Sequence, residues 1–333
     1  TDRLPENAVK NMEIVFHEKI GVSKEFNYIL NVEGNKMYAV NDDTRSEIYT
    51  FDITNPEKPK LIDKDQIDNY IISYFIARGN YLYTDQYGSF EILDATNANN
   101  IKSVFDFEHP ITSFAISDDY LYATGTDANL YIFDITIPEK TNLVKEIKNF
   151  DSSIMMFSDV SLKVYDNKLF FMDDNLYIYD ITNPTEPQLI TSYEKSRFPI
   201  QYLTISNNIA WTTGWQYNIN FDKQYYVTVL DISDPYKPKF ISTYDHYPSE
   251  IQGDIFLFYH TYIKSNDWNL YKSIHLMDMS NPLKPIELGY MGGDRIRSLN
   301  SNSAMIARND KIYIYSINFV DGKLTVIKYT SEK

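Results

Sequence analysis

The stretch Leu176 to Ile190, LYIYDITNPTEPQLI, constrains the fold more than any other part of the chain. It joins an apolar strand to an Asp-Ile-Thr-Asn-Pro corner, a second proline and the start of another strand, and the chain repeats it. The run ending in Asp recurs as IYTFDITNP from Ile48, FEILDATNA from Phe90, LYIFDITIP from Leu130, VTVLDISDP from Val227 and IHLMDMSNP from Ile274. The six aspartates (52, 94, 134, 180, 231 and 278) are spaced by about the 40 to 50 residues of a four-stranded propeller blade.

A second marker sets the blade count. Upstream of each corner lies a two-residue hairpin turn rich in Gly, Asn and Asp, as expected where both positions take positive φ. There are seven: Gly34-Asn35, Gly79-Asn80, Asp118-Asp119, Asp166-Asn167, Asn207-Asn208, Gly253-Asp254 and Asn309-Asp310. The seventh unit reads AMIARND, KIYIYSI and LTVIKYT with no corner after it, and Lys328 is read in place of the corner Asp. Before the first full repeat stands an orphan strand, MEIVFHEKI, at residues 12–20. That strand is expected to complete the last blade, so that no sheet edge stays open.

The expected fold is therefore all-β: a single seven-bladed β-propeller domain of four-stranded antiparallel blades, A to D. Residues 1–11 form a disordered or extended lead, 12–20 the closing strand, and the blades span about 26–66, 68–109, 110–150, 151–198, 199–249, 250–294 and 295–330. The C strands are apolar almost throughout, which a strand buried on both faces between neighbouring blades requires. No stretch has helical periodicity, and 11 Gly are too few for a glycine-rich β-helix.

The D-I-[ST]-[ND]-P-x-x-P corner after an apolar strand resembles the LVIVD-repeat family of β-propellers. The resemblance runs from Glu13 to Thr330. It implies the propeller fold and a secreted or surface location, as in bacterial and archaeal members, and no shared activity. Ala98 replaces the corner proline in the second unit, and Ile137 precedes Pro138 in the third, so those two corners are expected to be looser.

Composition limits the partners. Lys and Arg total 31 against 46 Asp and Glu, a formal charge of -15, which repels phosphate backbones and anionic lipid; no nucleic-acid partner is expected. The absence of Cys removes disulfides, thiolate nucleophiles and Cys-ligated zinc. No run approaches the roughly 18 apolar residues of a membrane span. The polar opening TDRLPENAVKN fits a mature form whose export leader has been removed.

The corner aspartates read as structural, because Asp before a Thr-Asn-Pro turn accepts hydrogen bonds from the backbone amides of that turn. In a meander the A–B and C–D connections share one end of the sheets, and the B–C and D–A connections share the other. The first end carries the uniform turns and corners, so variation collects at the second, where binding residues are sought. The B–C connections enlarge to loops in the fifth and sixth units, at about 214–224 and 260–273.

Trp211 falls in strand B at the place held by Tyr38, Tyr83, Tyr122, Phe170 and Tyr313, and is expected in the core. Trp215, Tyr217, Phe221, His260, Tyr262 and Trp268 match no repeat position and fall on the long loops. With Tyr244, His246 and Tyr247 of the neighbouring D–A connection they form the candidate binding set, suited to sugar stacking or a protein hot spot, or to packing among themselves. Asp42, Asp43, Asp127, Asp173 and Asp174 lie on short loops of the same end, where hard cations take clustered carboxylates, but without EF-hand spacing they read as solvated acidic turns and no metal site is assigned to them.

No cofactor is expected, beyond a channel-bound cation such as calcium as an option. HEKIG at His17 lacks the second His of a zinc-protease helix, and there is no G-x-S-x-G elbow, phosphate loop or dinucleotide fingerprint. His275 lies in a C strand and is expected to be buried.

The expected function is a non-enzymatic extracellular or cell-surface binding or scaffold protein, monomeric, that engages a glycan or protein through the variable loops of blades five and six. The alternative is a hydrolase or lyase acting on a carbohydrate or lactone at the channel mouth, with carboxylates and His260 or His246.

Overall fold

The structure is a computed structural model that describes residues 9–22, 26–41, 46–67, 71–86, 89–150, 161–173, 175–194, 200–217, 223–244, 248–264, 267–292, 303–318 and 321–331. Two N-terminal strands, β1 (Val9–Lys10) and β2 (Met12–Lys19), precede the repeats. The first sheet is β3 (Tyr28–Glu33), β4 (Lys36–Asn41), β5 (Glu47–Asp52) and β6 (Lys60–Gln66). The second is β7 (Ile72–Arg78), β8 (Tyr81–Gln86), β9 (Ser89–Asp94) and β10 (Lys102–Phe107). The third is β11 (Ile111–Ser117), β12 (Tyr120–Gly125), β13 (Leu130–Asp134) and β14 (Asn142–Ile147), and the fourth β15 (Ser161–Tyr165), β16 (Lys168–Met172), β17 (Asn175–Asp180) and β18 (Gln188–Glu194).

The fifth holds β19 (Ile200–Ser206), β20 (Ile209–Tyr217), β21 (Lys223–Asp231) and β22 (Lys239–Tyr244). The sixth runs β23 (Pro248–Gln252), β24 (Ile255–Lys264), β25 (Asp267–Asp278), β26 (Ile286–Gly292), and β1 adds a fifth strand beside β26. The seventh has β27 (Ser303–Arg308), β28 (Lys311–Ile317), β29 (Lys323–Thr330) and, as its outer strand, β2. This is an all-β seven-bladed propeller. Its N-terminal strands complete the last two sheets, with Ile14 opposite Ile327 and Val9 opposite Met291.

The chain forms two compact units. One comprises residues 1–87, 93–103 and 248–333, the other 88–92 and 104–247. In the first, apolar residues of the seventh and first sheets, among them Tyr28, Tyr49, Phe51, Tyr315 and Leu324, pack into one buried cluster, and Leu257, Leu276, Met305 and Ile314 into another. In the second, Tyr122, Ile132, Leu162 and Phe171 form one cluster, and Phe170, Ile178, Leu203 and Leu230 another. The third strands β5, β9 and β13 are buried on both faces, as in Leu130 to Phe133, whereas β17 alternates buried Leu176 and Ile178 with half-buried Tyr177 and Tyr179.

All six corner aspartates do what the turn chemistry predicts. The Oδ1 atoms of Asp52, Asp94, Asp134, Asp180, Asp231 and Asp278 accept the backbone N–H of the residue two further on, at 2.7–2.9 Å. The next residue locks the corner to the hairpin turn, as in Ile53 N–H to Asn35 O at 2.9 Å and Ile181 N–H to Asn167 O at 3.0 Å.

Four sequence expectations need correction. The corner at Ala98 keeps the bonds of its relatives, with Asn100 N–H on Asn97 O at 3.0 Å and Asn99 N–H on Asn97 Oδ1 at 3.2 Å. The one at Pro138 tightens into a 3₁₀ turn, Pro138–Lys140, so neither is unbonded. Positive φ at both hairpin positions holds for 166–167, 207–208 and 309–310; in the turns at Gly34, Gly79, Asp118 and Gly253 only the first residue has it, which still matches strand twist. Finally, Lys311 lies opposite Thr330, as Ile255 lies opposite Asp278, so Thr330 holds the corner-Asp position and Lys328 sits two residues earlier.

Candidate functional site

The enlarged connections are not loops. β20 and β21 continue their ladder to Trp215 opposite Tyr225 and Tyr217 opposite Lys223, and β24 and β25 continue theirs to His260 opposite Ser273 and Tyr262 opposite Tyr271. Alternating aromatic and polar residues suit a paired strand better than a loop, so the two hairpins continue as β-ribbons. Trp268 lies at the start of β25, next to the irregularity at Asp267. The backbone positions of Trp215, Tyr217, His260, Tyr262 and Trp268 are thereby fixed, while their side chains, and Phe221, His246 and Tyr247 entirely, lie outside the described residues.

Tyr244 ends strand β22, and its ring packs 5.8 Å from that of Trp211, which is 2% exposed and in the core as expected. Tyr244 is half-buried against Trp211, and that burial raises its phenol pKa. Asp42, Asp43 and Asp174 lie outside the described residues, and Asp173 spends its carboxylate on the Asn175 N–H at 2.7 Å. Among the described residues no group of three or more His, Asp or Glu is placed to hold a metal ion. His17 in β2 bonds Thr325 at 2.9 Å, and His275 is satisfied by Ser273 Oγ at 3.0 Å and Glu287 Oε2 at 2.9 Å.

The described residues do assemble one polar cluster at the B–C and D–A end of the third sheet. His109 comes from the connection before β11, Asp127 and Asn129 from the turn between β12 and β13, Tyr131 from β13 and Glu146 from β14. Asp127 Oδ2 accepts three donors: the Tyr131 hydroxyl at 2.6 Å, Asn129 Nδ2 at 2.7 Å and His109 Nε2 at 3.2 Å. The Tyr131 oxygen is also 3.0 Å from His109 Nε2, and Asn129 Nδ2 reaches Glu146 Oε1 at 3.0 Å. Phe107 packs edge-on to Tyr131, ring centroids 5.1 Å apart, and forms the apolar wall.

Close approach at Gly125 makes this possible, since a Cβ there would stand 2.4 Å from Asp127 Oδ1 and 2.9 Å from the Tyr131 ring. Burial pushes the Asp127 pKa up, but the bonds from Tyr131, the Asn129 amide and His109 outweigh it and hold the carboxyl below its ordinary value. Burial first, then the bond to Asp127, pushes the Tyr131 phenol up to about 12. Toward the Asp127 carboxylate His109 Nε2 acts as the donor, so the carboxylate favours the ring form that carries a proton on Nε2. The His109 and Asp127 side chains are 33% and 34% exposed, so the cluster is reachable from solvent. The sequence does not announce this cluster, because 18 positions separate His109 from Asp127; only strand pairing brings their loops together.

Three segments, 112–148, 160–195 and 221–246, match the model of the LVIVD repeat. No curated protein sequence matches the chain. Among solved structures, the Neurospora crassa Pan2 WD40 domain aligns with TM-score 0.62 at 9% identity, over 97% of this chain and 96% of that one. A computationally designed protein, Ika8, aligns with TM-score 0.59 at 14% identity over 92% and 98%. The N-terminal domain of Nup159 aligns with TM-score 0.56 at 11% identity over 99% and 97%. At these identities the likeness is one of fold, and the chain is a β-propeller that carries LVIVD repeats.

Proposed function

We propose that this propeller of LVIVD repeats is a non-enzymatic binding protein, acting outside the cell or at its surface, that engages a glycan or protein through the sheet ends carrying the B–C and D–A connections. One contrast carries the reading. The corners at the other end are six near-copies with the same hydrogen bonds, while the irregular features, two lengthened aromatic hairpins and the His109 cluster, all arise from B–C or D–A segments. A rigid repeat with variation confined to one set of connections is the usual arrangement of a recognition scaffold. Trp and Tyr supply stacking area for sugar rings or hot-spot contacts, and Asp, Asn and His supply hydroxyl partners.

The test is a glycan and protein array probed with the purified chain, followed by the Trp215→Ala, Trp268→Ala double variant. The reading expects loss of the array signal with melting temperature close to wild type; a large fall in melting temperature would instead make the tryptophans packing residues. Location is checked by the N-terminus of the full gene product, where an export signal is expected.

The second reading, a hydrolase or lyase, draws on His109, whose Nε2 lies 3.2 Å from the Asp127 carboxylate and whose side chain is one-third exposed, the His–carboxylate pairing of a general base. It predicts turnover of a sugar or lactone substrate that disappears in His109→Gln.

A further inference from the structure

The lengthened hairpin of the fifth sheet sorts its residues by face. The register of β20 with β21 runs unbroken from Ile209 opposite Asp231 to Tyr217 opposite Lys223. Strand residues alternate between faces and directly paired residues share one, so Ala210, Gln216, Gln224 and Leu230 fall on one face, and Trp211, Trp215, Tyr217 and Tyr225 on the other. The first face packs on the fourth sheet, since Ala210 and Leu230 join Phe170 and Ile178 in one buried cluster. The second therefore carries three aromatic positions beyond Trp211 and Val227, which are 2% and 1% exposed. Tyr225, absent from the sequence candidates, joins them as the direct partner of Trp215.

The sixth sheet, in the other compact unit, sorts in the same way. Leu257 and Leu276 pack with Met305 and Ile314 of the seventh sheet, and His260, Tyr262 and Tyr271 fall on the opposite face. Aromatic residues thus gather twice on the face that leaves the preceding core contact.

The chemistry of the fifth-sheet face is narrow. Of its paired positions past Val227, Trp215, Tyr217, Lys223 and Tyr225, one is charged, and none is Arg, a carboxylate or aliphatic. Alternate residues along a strand stand about 6.7 Å apart and opposed residues about 5 Å, so the aromatic positions form a row on one surface. Protein hot spots seat Trp, Tyr and Arg in desolvated pockets. A row without Arg suits instead a chain of pyranose rings, whose C–H faces are apolar and whose edges carry hydroxyls for phenol O–H, indole N–H and ammonium groups. The formal charge of -15 repels carboxylated or sulfated glycans.

We propose, on the premise that these connections recognise a ligand, that this face of the β20–β21 ribbon binds a neutral glycan chain through Trp215, Tyr217 and Tyr225. Sugar rings stack on the three aromatic residues, and the Gln216 and Gln224 face takes no part.

The experiment is affinity electrophoresis of the full chain in native gels cast with hydroxyethylcellulose, galactomannan or dextran, beside gels cast with alginate. Retardation is expected in at least one neutral gel and not in alginate. Tyr225→Thr, which keeps a strand former but loses the ring, should weaken that binding at least about tenfold with an unchanged melting temperature, and Tyr225→Phe less than about threefold. Tyr217→Thr, nearer the hairpin end, gives the same readout if the Tyr225 variant does not fold. Gln224→Ala, on the opposite face, should leave binding within about twofold. Retardation that Tyr225→Thr or Tyr217→Thr leaves unchanged, or that Gln224→Ala abolishes, would overturn the assignment to this face. No retardation in any neutral gel would overturn the glycan assignment, and a protein-array signal lost in the Trp215→Ala, Trp268→Ala variant would then leave the broader recognition reading standing.

Discussion

The Lys328 ammonium lies 3.2 Å from Glu57 Oε1 and pairs at the same time with Glu13, so one cation joins the first corner to the N-terminal strand β2. The Lys328 side chain is 14% exposed. Around it Arg308 Nη1 donates to Ile53 O at 2.7 Å and the Tyr315 hydroxyl to Pro56 O at 3.3 Å, so the seventh sheet grips the first through its corner. Lys328→Met should cost no more than about 1 kcal/mol in urea unfolding, since Glu57 is 35% exposed and keeps the Tyr313 hydroxyl at 3.4 Å and the Lys311 ammonium at 3.9 Å. Glu13 is 61% exposed, and Glu13→Gln should change little. The bond to Glu13, followed by that to Glu57, raises the Lys328 pKa against the opposing effect of burial. Its contribution is therefore full below about pH 10.4, the unfolded value, and is lost as pH rises through the folded one. Thermal scans of wild type and Lys328→Met should converge in strong alkali.

The corners set the acid limb. Hydrogen bonds from Thr54, Thr136, Thr182 and Ser233 hold Asp52, Asp134, Asp180 and Asp231 below the ordinary carboxylate range. Groups with depressed pKa stabilise above their unfolded value, about 3.9, and lose that contribution as pH falls through the folded one. Thermal melts of Asp180→Ala should show a lower melting temperature than wild type at pH 6, with the gap closing below about pH 3. A constant gap at all pH values would mean that the corner depends on shape and not on the charge.

Turn chemistry explains why the blades were legible in the sequence. Asp before Thr-Asn-Pro and Gly or Asn at positive φ report backbone geometry residue by residue, and the counts of corners and turns together forced β2 into the seventh sheet. Lys328 was misplaced because no corner follows β29 to anchor the count, and only pairing with Lys311 shows that Thr330 is the counterpart of Asp278. The ribbons were read as loops because Gln216, Asn269 and Lys272 look like loop residues in isolation, whereas pairing of β20 with β21 and β24 with β25 continues past them. β1 is two residues held by backbone pairing with β26, which no side-chain pattern announces.

Asp85 departs from the repeat and should titrate near neutrality. At the matching place in the third sheet Thr124 bonds the bulge residue Thr112 at 2.8 Å, whereas Asp85 receives the hydroxyl of Ser73 at 3.1 Å. Burial pushes the Asp85 carboxyl up to about 7, against the lowering effect of that bond. The folded chain holds this proton more tightly than the unfolded one, so stability falls as pH rises from about 4 to about 7 and is level above. Asp85→Thr, which places there the residue that the third sheet carries, should be more stable than wild type by about 1–2 kcal/mol at pH 8, and show a smaller difference between pH 4 and pH 8, in paired urea titrations. Equal pH dependence in both proteins would remove Asp85 as the titrating group.

Gly125 controls the His109 cluster through one missing atom. A Cβ there would meet Asp127 Oδ1 at 2.4 Å and the Tyr131 ring at 2.9 Å, and moving either side chain off it disturbs the bond between them. Gly125→Ala should therefore free the imidazole from its favoured Nε2–H form, which nitrogen-15 NMR of the ring reads as a mixture of tautomers. The Tyr131 phenol should at the same time titrate below its value of about 12 without reaching the ordinary 10.0, because burial, the larger cause of its shift, remains when the Asp127 bond is lost. Asp127→Asn removes the charge without the clash and should give the same two signatures. If Gly125→Ala leaves both spectra unchanged, the turn between β12 and β13 has moved as a body, and the close approach at Gly125 does not position the carboxylate.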